Sequence, residues 1–380
     1  MKPTLRALSR RTALQAAGAA AIGSLIPRTS SAAAGGDVPW LAEIQKPPVS
    51  LPGDAPELAD LLVDGAGNPI TTVAGWSKKR DELRRWWLDF LGPMPAERKT
   101  PPSLRVLEED RSDGVIRQLV GYEIEPGLTT EAYLLKPARQ TGPAPAIAVF
   151  HSTVNYTIRQ PAGLEGPPEK HFGLRYAKNG CVCFCPRNFL WPQITTDRLN
   201  TTSEVKKLAD RAPQSKGMAK MLYDSLVAVD ILASLSEVDA GRIGAVGHSL
   251  GAKEALYIAA FDERIKATVS SEGGIGTKFS NWEAPWYLGP TIKEPAFKHE
   301  HHELLAMVAP RPFLLVGGRS NEPAPSSVDG DRGWPFINRG LSVYELYGKP
   351  SRIGQFVHGK GHAVPPEAEQ RIEEWLFTYL

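Results

Sequence analysis

The stretch Gly247-His248-Ser249-Leu250-Gly251 constrains this chain more than any other part of it. Ahead of it runs Arg242-Ile243-Gly244-Ala245-Val246, apolar enough for a buried strand, and Ala252 to Ala260 after it reads as a helix. A serine at the tip of a tight strand-to-helix turn is held in a strained backbone conformation. Side chains at the flanking positions would collide with the strand and the helix, so glycine fits both. The helix N-terminus then sets unpaired N–H groups beside the serine hydroxyl.

The rest of the chain supplies a sheet for that turn. Trp76 to Leu91 is a helix by pattern, with Leu83, Trp86, Trp87, Phe90 and Leu91 on one face. Strand-like runs follow at Ser103 to Glu108, Val115 to Ile124 and Thr130 to Lys136, separated by turn residues, which predicts an antiparallel opening. Ala144 to His151 and Cys181 to Cys185 read as more hydrophobic strands, as in a sheet covered on both faces. Then come a helix over Gly217 to Leu235, the serine turn, a helix at 251–261, a strand over Ala267 to Ser271 and a helix at 299–307. Strands over Pro312 to Val316 and Leu341 to Leu346 and a last helix, Pro366 to Leu380, complete the series. Alternating strands and helices imply an α/β fold, a mostly parallel sheet with helices on both faces and its site at the strand C-termini.

Residues 1–34 read as an address rather than structure. Ser9-Arg10-Arg11-Thr12-Ala13-Leu14 resembles a twin-arginine export signal, an apolar run reaches Ile26, and Ser31-Ala32-Ala33-Ala34 offers a cleavage site. The expected organisation is this signal, an N-terminal arm and helix at 35–100, and a catalytic domain at 101–380. Export would leave the mature chain periplasmic or extracellular. The signal carries five basic residues and no acid, so its loss takes the net charge from +2 to −3. With no basic stripe to meet a phosphate backbone, the composition argues against a nucleic-acid partner, and no membrane partner is expected once the signal is gone. The three cysteines, Cys181, Cys183 and Cys185, alternate along one strand and read as small buried hydrophobes on one face. Their spacing does not suit a zinc site, and neither does that of His299, His301 and His302, so neither metal nor cofactor is expected.

A glycine-flanked serine between strand and helix resembles the nucleophile elbow of the α/β-hydrolases, and the resemblance implies an esterase with a Ser, acid, His chain order. Ser249 is then the nucleophile and His362, in Gly361-His362-Ala363 before the last helix, the base, with His358 its rival. The acid expected after the strand ending at Val316 is Asp331, whose Asp331-Arg332-Gly333-Trp334-Pro335 resembles a pattern of dienelactone-hydrolase-like enzymes. Asp329, Glu322 and, one strand earlier, Glu272 are the other candidates. The oxyanion hole needs two N–H groups, expected from Leu250 and from Thr153, with Ser152 its neighbour, after the strand ending at His151.

The segment from Gly247 to Leu256, with His302-Glu303-Leu304-Leu305-Ala306-Met307-Val308-Ala309-Pro310-Arg311-Pro312, is similar to bacterial glucuronoyl esterases. The layout around Gly361 to Glu367 also resembles acetyl xylan esterases and dienelactone hydrolases. The first resemblance implies that Lys253, four residues after the serine, contacts sugar hydroxyls. It also exposes a departure, because Leu250 stands where that family has arginine, which argues for acetyl over uronate esters. Trp191, Trp282, Trp286 and Trp334 fall in loops near the strand ends, where they either stack on a sugar or pack the loops down. A small-molecule or polysaccharide ester is the expected substrate. A small-ester or lactone hydrolase, or a sugar-binding module that no longer catalyses, are the competing readings.

Overall fold

The computed structural model describes residues 36–98, 100–191, 201–319, 329–348 and 351–380, and Asp37–Leu380 form one compact unit. The chain order is α1 (Val73–Leu91), β1 (Arg105–Ser112), β2 (Val115–Glu125), β3 (Leu128–Pro137), β4 (Ala144–Phe150), α2 (Phe172–Lys178) and β5 (Val182–Pro186). Next are α3 (Thr201–Arg211), α4 (Gly217–Ser234), β6 (Val238–His248), α5 (Leu250–Phe261), β7 (Ile265–Ser271) and α6 (His302–Val308). The last four are β8 (Phe313–Gly318), α7 (Trp334–Leu346), β9 (Ile353–His358) and α8 (Pro366–Tyr379).

These strands form a nine-stranded sheet in the order β1-β2-β3-β5-β4-β6-β7-β8-β9. The pairs from β1 to β5 are antiparallel and those from β5 across to β9 are parallel. From β4 the chain steps through α2 to β5 on one side, then crosses to β6 on the other. The crevice between β4 and β6 is therefore a topological switch point, where ligands of open parallel sheets bind.

Alternation along the strands divides the core into two layers. Ala146, Ala148, Val182 and Phe184 face a layer built on α1, α4, α5, α6 and α7. Ile147, Val149 and all three cysteines face the other, built on α2, α8 and the arm residues Val38, Trp40, Leu41 and Ile44. The cysteines are free, and burial raises their thiols above the usual range, so they pack as inert small hydrophobes.

One element departs from expectation. Leu341 to Leu346 is not a strand but the end of α7, and the last strand is β9. The segment LSVYEL is a short, largely apolar window that can pass for a strand, yet Phe336, Ile337, Gly340, Val343 and Tyr344 are buried at helical spacing over the longer run. Among the described residues no helix is long and apolar enough to cross a membrane, and the export signal expected at 1–34 lies outside them.

Candidate active site

Ser249 sits between β6 and α5 with φ 60° and ψ −116°, a conformation non-glycine residues rarely adopt. The neighbouring glycines are there for space. A Cβ on Gly247 would lie 2.2 Å from the Gly251 carbonyl carbon, and one on Gly251 would lie 2.2 Å from the Phe150 carbonyl oxygen. The Ser249 N–H donates to Ser271 O at 2.8 Å, tying the turn to the end of β7. Leu250 is the first residue of α5, so its N–H has no partner within the helix.

The next residue past β7 is Glu272, also at positive φ (55°) and buried. Its Oε2 lies 3.1 Å from His362 Nδ1, while Oε1 accepts the Gly318 N–H from the end of β8. The loop bearing His362 is pinned to the same strand end, since Gly361 N–H donates to Arg319 O at 2.9 Å. His362 is half-buried, and with Nδ1 held by Glu272 its Nε2 is the nitrogen left for a reacting group. Behind it lies His248, its ring centroid 4.7 Å away and its Nδ1 3.1 Å from Ser271 Oγ. Burial holds His248 well below the usual imidazole range, so the ring beside His362 is neutral.

Asp331, the expected acid, does not meet His362. It forms a two-point ion pair with Arg319, Oδ2 to Nε at 2.5 Å and Oδ1 to Nη2 at 2.7 Å. The carboxylate that reaches the imidazole is Glu272, from the adjacent strand. Asp329, fully buried, accepts N–H bonds from Gly274 at 3.1 Å and Ile275 at 2.5 Å, so it holds the loop that follows Glu272. Burial, with the nearby Glu272 charge, pushes its carboxyl upward. The rival base His358 is buried too, its Nδ1 taken by the Lys360 N–H at 3.2 Å. Glu322 falls outside the described residues.

Ser249, Leu250, Thr153, Glu272 and His362 line one cavity of about 430 Å³. Lys253, Trp191 and Trp286 line it as well. Lys253 is buried, donates to Gly273 O at 2.5 Å, and carries its ammonium 3.9 Å from the centre of the Trp282 ring. Burial lowers it to about 7, against the pull of Asp329 and Glu283. Trp282 and Trp334, expected in the binding surface, are not among the lining residues. Trp282 is fully buried, with Nε1 donating to Gly274 O at 2.7 Å, so it backs Lys253 instead. Trp334 packs into the core at the start of α7. Tyr287, in the same aromatic loop as Trp286, lines the cavity too, and Ser280 and Asn281 line it with no recurring spacing in the sequence to mark them.

Among the described residues no group of three metal-ligating side chains is gathered. His299 contacts Glu303 at 2.9 Å, and His301 lies between Ile275 O at 2.9 Å and the Tyr257 hydroxyl at 3.0 Å. A larger groove of about 550 Å³ lies away from Ser249, but its arginines pair with their neighbours, Arg80 with Glu263 and Arg264 with Asp230 and Asp262.

A strained serine at the switch point of this sheet decides the architecture. The chain has the α/β-hydrolase fold. Residues 130–302 match the dienelactone hydrolase family. The Bacillus subtilis (strain 168) protein called "Putative hydrolase YtaP" is 29% identical over 322 residues, covering 78% of this chain and 100% of its own length. A glucuronoyl esterase from Solibacter usitatus superposes with a TM-score of 0.64 at 16% identity, over 87% of this chain and 98% of its own. The family 15 carbohydrate-esterase glucuronoyl esterase from Teredinibacter turnerae T7901 gives 0.62 at 19% identity, over 85% and 89%. A "putative acetyl xylan esterase" from Bacteroides fragilis gives 0.58 at 15%, over 78% of each. The match to a hydrolase family and to a relative named a hydrolase supports a carboxylic ester hydrolase, and the solved neighbours share its fold.

Proposed function

We propose that this hydrolase-fold chain is an exported serine esterase in which Ser249, His362 and Glu272 form the triad. The observation that carries this reading is the 3.1 Å contact between His362 Nδ1 and Glu272 in the cavity that Ser249 shares. Glu272 fixes the imidazole with Nδ1 protonated, which leaves Nε2 to take the proton from Ser249 Oγ. The serine oxygen attacks the ester carbonyl, and the N–H groups of Leu250 and Thr153 receive the negative oxygen that forms. Collapse expels the alcohol, which takes its proton from His362. Water, activated by the same imidazole, then releases the acid from the acyl-serine.

The substrate class that fits is an ester on a carbohydrate, with acetyl favoured over uronate. Trp191 and Trp286 give the cavity flat apolar walls and Lys253 gives it a donor, a pairing suited to sugar rings with their hydroxyls. Leu250 brings no positive side chain beside the oxyanion. The basic segment at 1–34 supports export by the twin-arginine route.

The test is an assay of the mature chain against p-nitrophenyl acetate, acetylated xylan and a methyl glucuronate ester, with Ser249→Ala beside it. Release of acetate from xylan, lost by about 10⁴-fold or more in the variant, is the expected result. Turnover of the uronate ester alone would move the substrate assignment. Native protein that neither turns over an ester nor reacts with a serine-directed phosphonate would leave a binding module and overturn the esterase reading.

A further inference from the structure

The residue just past β4 is a histidine that touches no part of the triad, yet it is the hinge on which one wall of the cavity hangs. His151 is buried, and both its ring nitrogens are engaged. Nε2 lies 3.2 Å from the backbone nitrogen of Asn188. A backbone N–H can only donate, so Nε2 carries the lone pair and the ring proton sits on Nδ1. Nδ1–H then donates to its neighbour's carbonyl, Ser152 O, at 2.7 Å. Only this neutral tautomer satisfies both contacts. Burial, with the Arg187 charge nearby, lowers the imidazole to about 4 and keeps it neutral near pH 7.

The consequence falls on the next peptide. The Ser152–Thr153 bond is trans, so the Thr153 N–H points opposite to the Ser152 carbonyl. One further bond holds that peptide, Ser152 O also accepting the Val154 N–H at 2.9 Å, and the peptide before it is held by the Ser152 N–H donating to Gln160 Oε1 at 3.0 Å. With the carbonyl drawn to His151, the Thr153 N–H is aimed away from it, and Thr153 lines the cavity with Ser249 and Leu250. Among the described residues no protein acceptor takes that N–H. On its other side the ring holds the turn where Asn188 Oδ1 accepts the Leu190 N–H at 3.1 Å, and it packs edge-on to Trp191, its centroid 5.3 Å away. One imidazole thus sets the spacing between the Thr153 loop and the Leu190-Trp191 wall.

We propose that His151, as its Nδ1–H tautomer, is a positioning residue that presents the Thr153 N–H to the oxyanion and fixes the adjoining substrate wall. The inference rests on the esterase reading above. The variants His151→Phe and His151→Asn separate its parts. Phenylalanine keeps the ring volume and removes both hydrogen bonds, while asparagine keeps a donor near the Nδ1 position.

With p-nitrophenyl acetate, His151→Phe is expected to lower kcat by roughly 10- to 100-fold with KM within about threefold, short of the loss seen when an oxyanion donor is deleted outright. Binding of a boronic acid that forms a tetrahedral anion on Ser249 should weaken in the same proportion. His151→Asn should recover about tenfold of the kcat loss. Nitrogen-15 spectra of the native chain should show His151 protonated on Nδ1 and not titrating above pH 5.

Equal losses in the two variants, loss of KM alone, or an Nε2–H tautomer would each overturn the proposal. The tautomer measurement decides it if His151→Phe does not fold. A native chain inert through Ser249 would overturn the esterase reading itself. An active native chain whose His151→Phe variant is unimpaired would overturn this inference alone.

Discussion

At the scale of single residues, the decisive question is which carboxylate serves His362. Of the four acids the sequence offers, geometry separates Glu272 from the expected Asp331. Glu272 gives one oxygen to the imidazole and the other to the Gly318 N–H, so its charge is used on both sides in a buried setting. Asp331 spends both oxygens on Arg319, in a pair whose arginine is exposed. Glu272→Gln preserves shape but cannot hold the imidazolium that forms during attack. It is expected to lower kcat by roughly 10³- to 10⁴-fold. Asp331→Asn should leave kcat within about threefold and cost less than about 1 kcal/mol of stability, as exposed ion pairs do. Steady-state kinetics on the two variants side by side check this, and the reverse ranking would restore Asp331.

At the scale of elements, the loop from Glu272 to Gly289 does most to shape the cavity, and it is held from behind by the entry to α6. Glu300 accepts from both the Thr277 N–H at 2.9 Å and the Thr277 hydroxyl at 2.6 Å, and His301 Nδ1 meets Ile275 O at 2.9 Å. Thr277→Val keeps the shape and removes the hydroxyl donor from a largely buried carboxylate. The expected cost is about 1–3 kcal/mol in urea unfolding, with KM raised several-fold and the reactivity of Ser249 toward a small phosphonate unchanged. Loss of that reactivity instead would mean that the loop holds the triad and not only the wall.

The same loop shows where the sequence stopped being informative. The elbow was legible because its glycines answer a local steric demand at Gly247 and Gly251. The layers were legible because Cys183 and Phe184 face opposite ways along a strand. The acid was not, because choosing Glu272 over Asp331 depends on which of two neighbouring strand ends faces His362, a non-local fact. His299 and His301, whose spacing does not suit a zinc site, meet Glu303, Ile275 and Tyr257 instead, the last two lying too far along the chain for the spacing to name. Leu341 to Leu346 reads as a strand in isolation because six largely apolar residues are too few to set a period, and only the longer run from Trp334 shows the helical one.

At the scale of the whole molecule, the parallel half of the sheet ends at β9, an edge strand that leads straight into the His362 loop. The arm closes that edge. Ile44 O accepts the Gln355 N–H at 2.9 Å, and Gln45 Nε2 donates to Ile353 O at 2.9 Å, so backbone groups on the rim of the sheet are paired and covered. Trp40 anchors the arm: it is 3% exposed, packs 5.9 Å from Trp375 of α8, and donates Nε1–H to Glu374 at 2.6 Å. Arg352 pairs with Asp37 at 2.8 Å just ahead of β9. Trp40→Ala therefore removes a large buried ring and the hook of the arm together. The expected cost is about 3–5 kcal/mol, the usual range for truncating a buried aromatic. Because the proposed triad is set by β6, β7 and the His362 loop, kcat at 25 °C should change by less than about threefold while the thermal midpoint falls. If kcat drops with no loss of stability, the arm acts on the His362 loop through β9 and is part of the site's positioning frame.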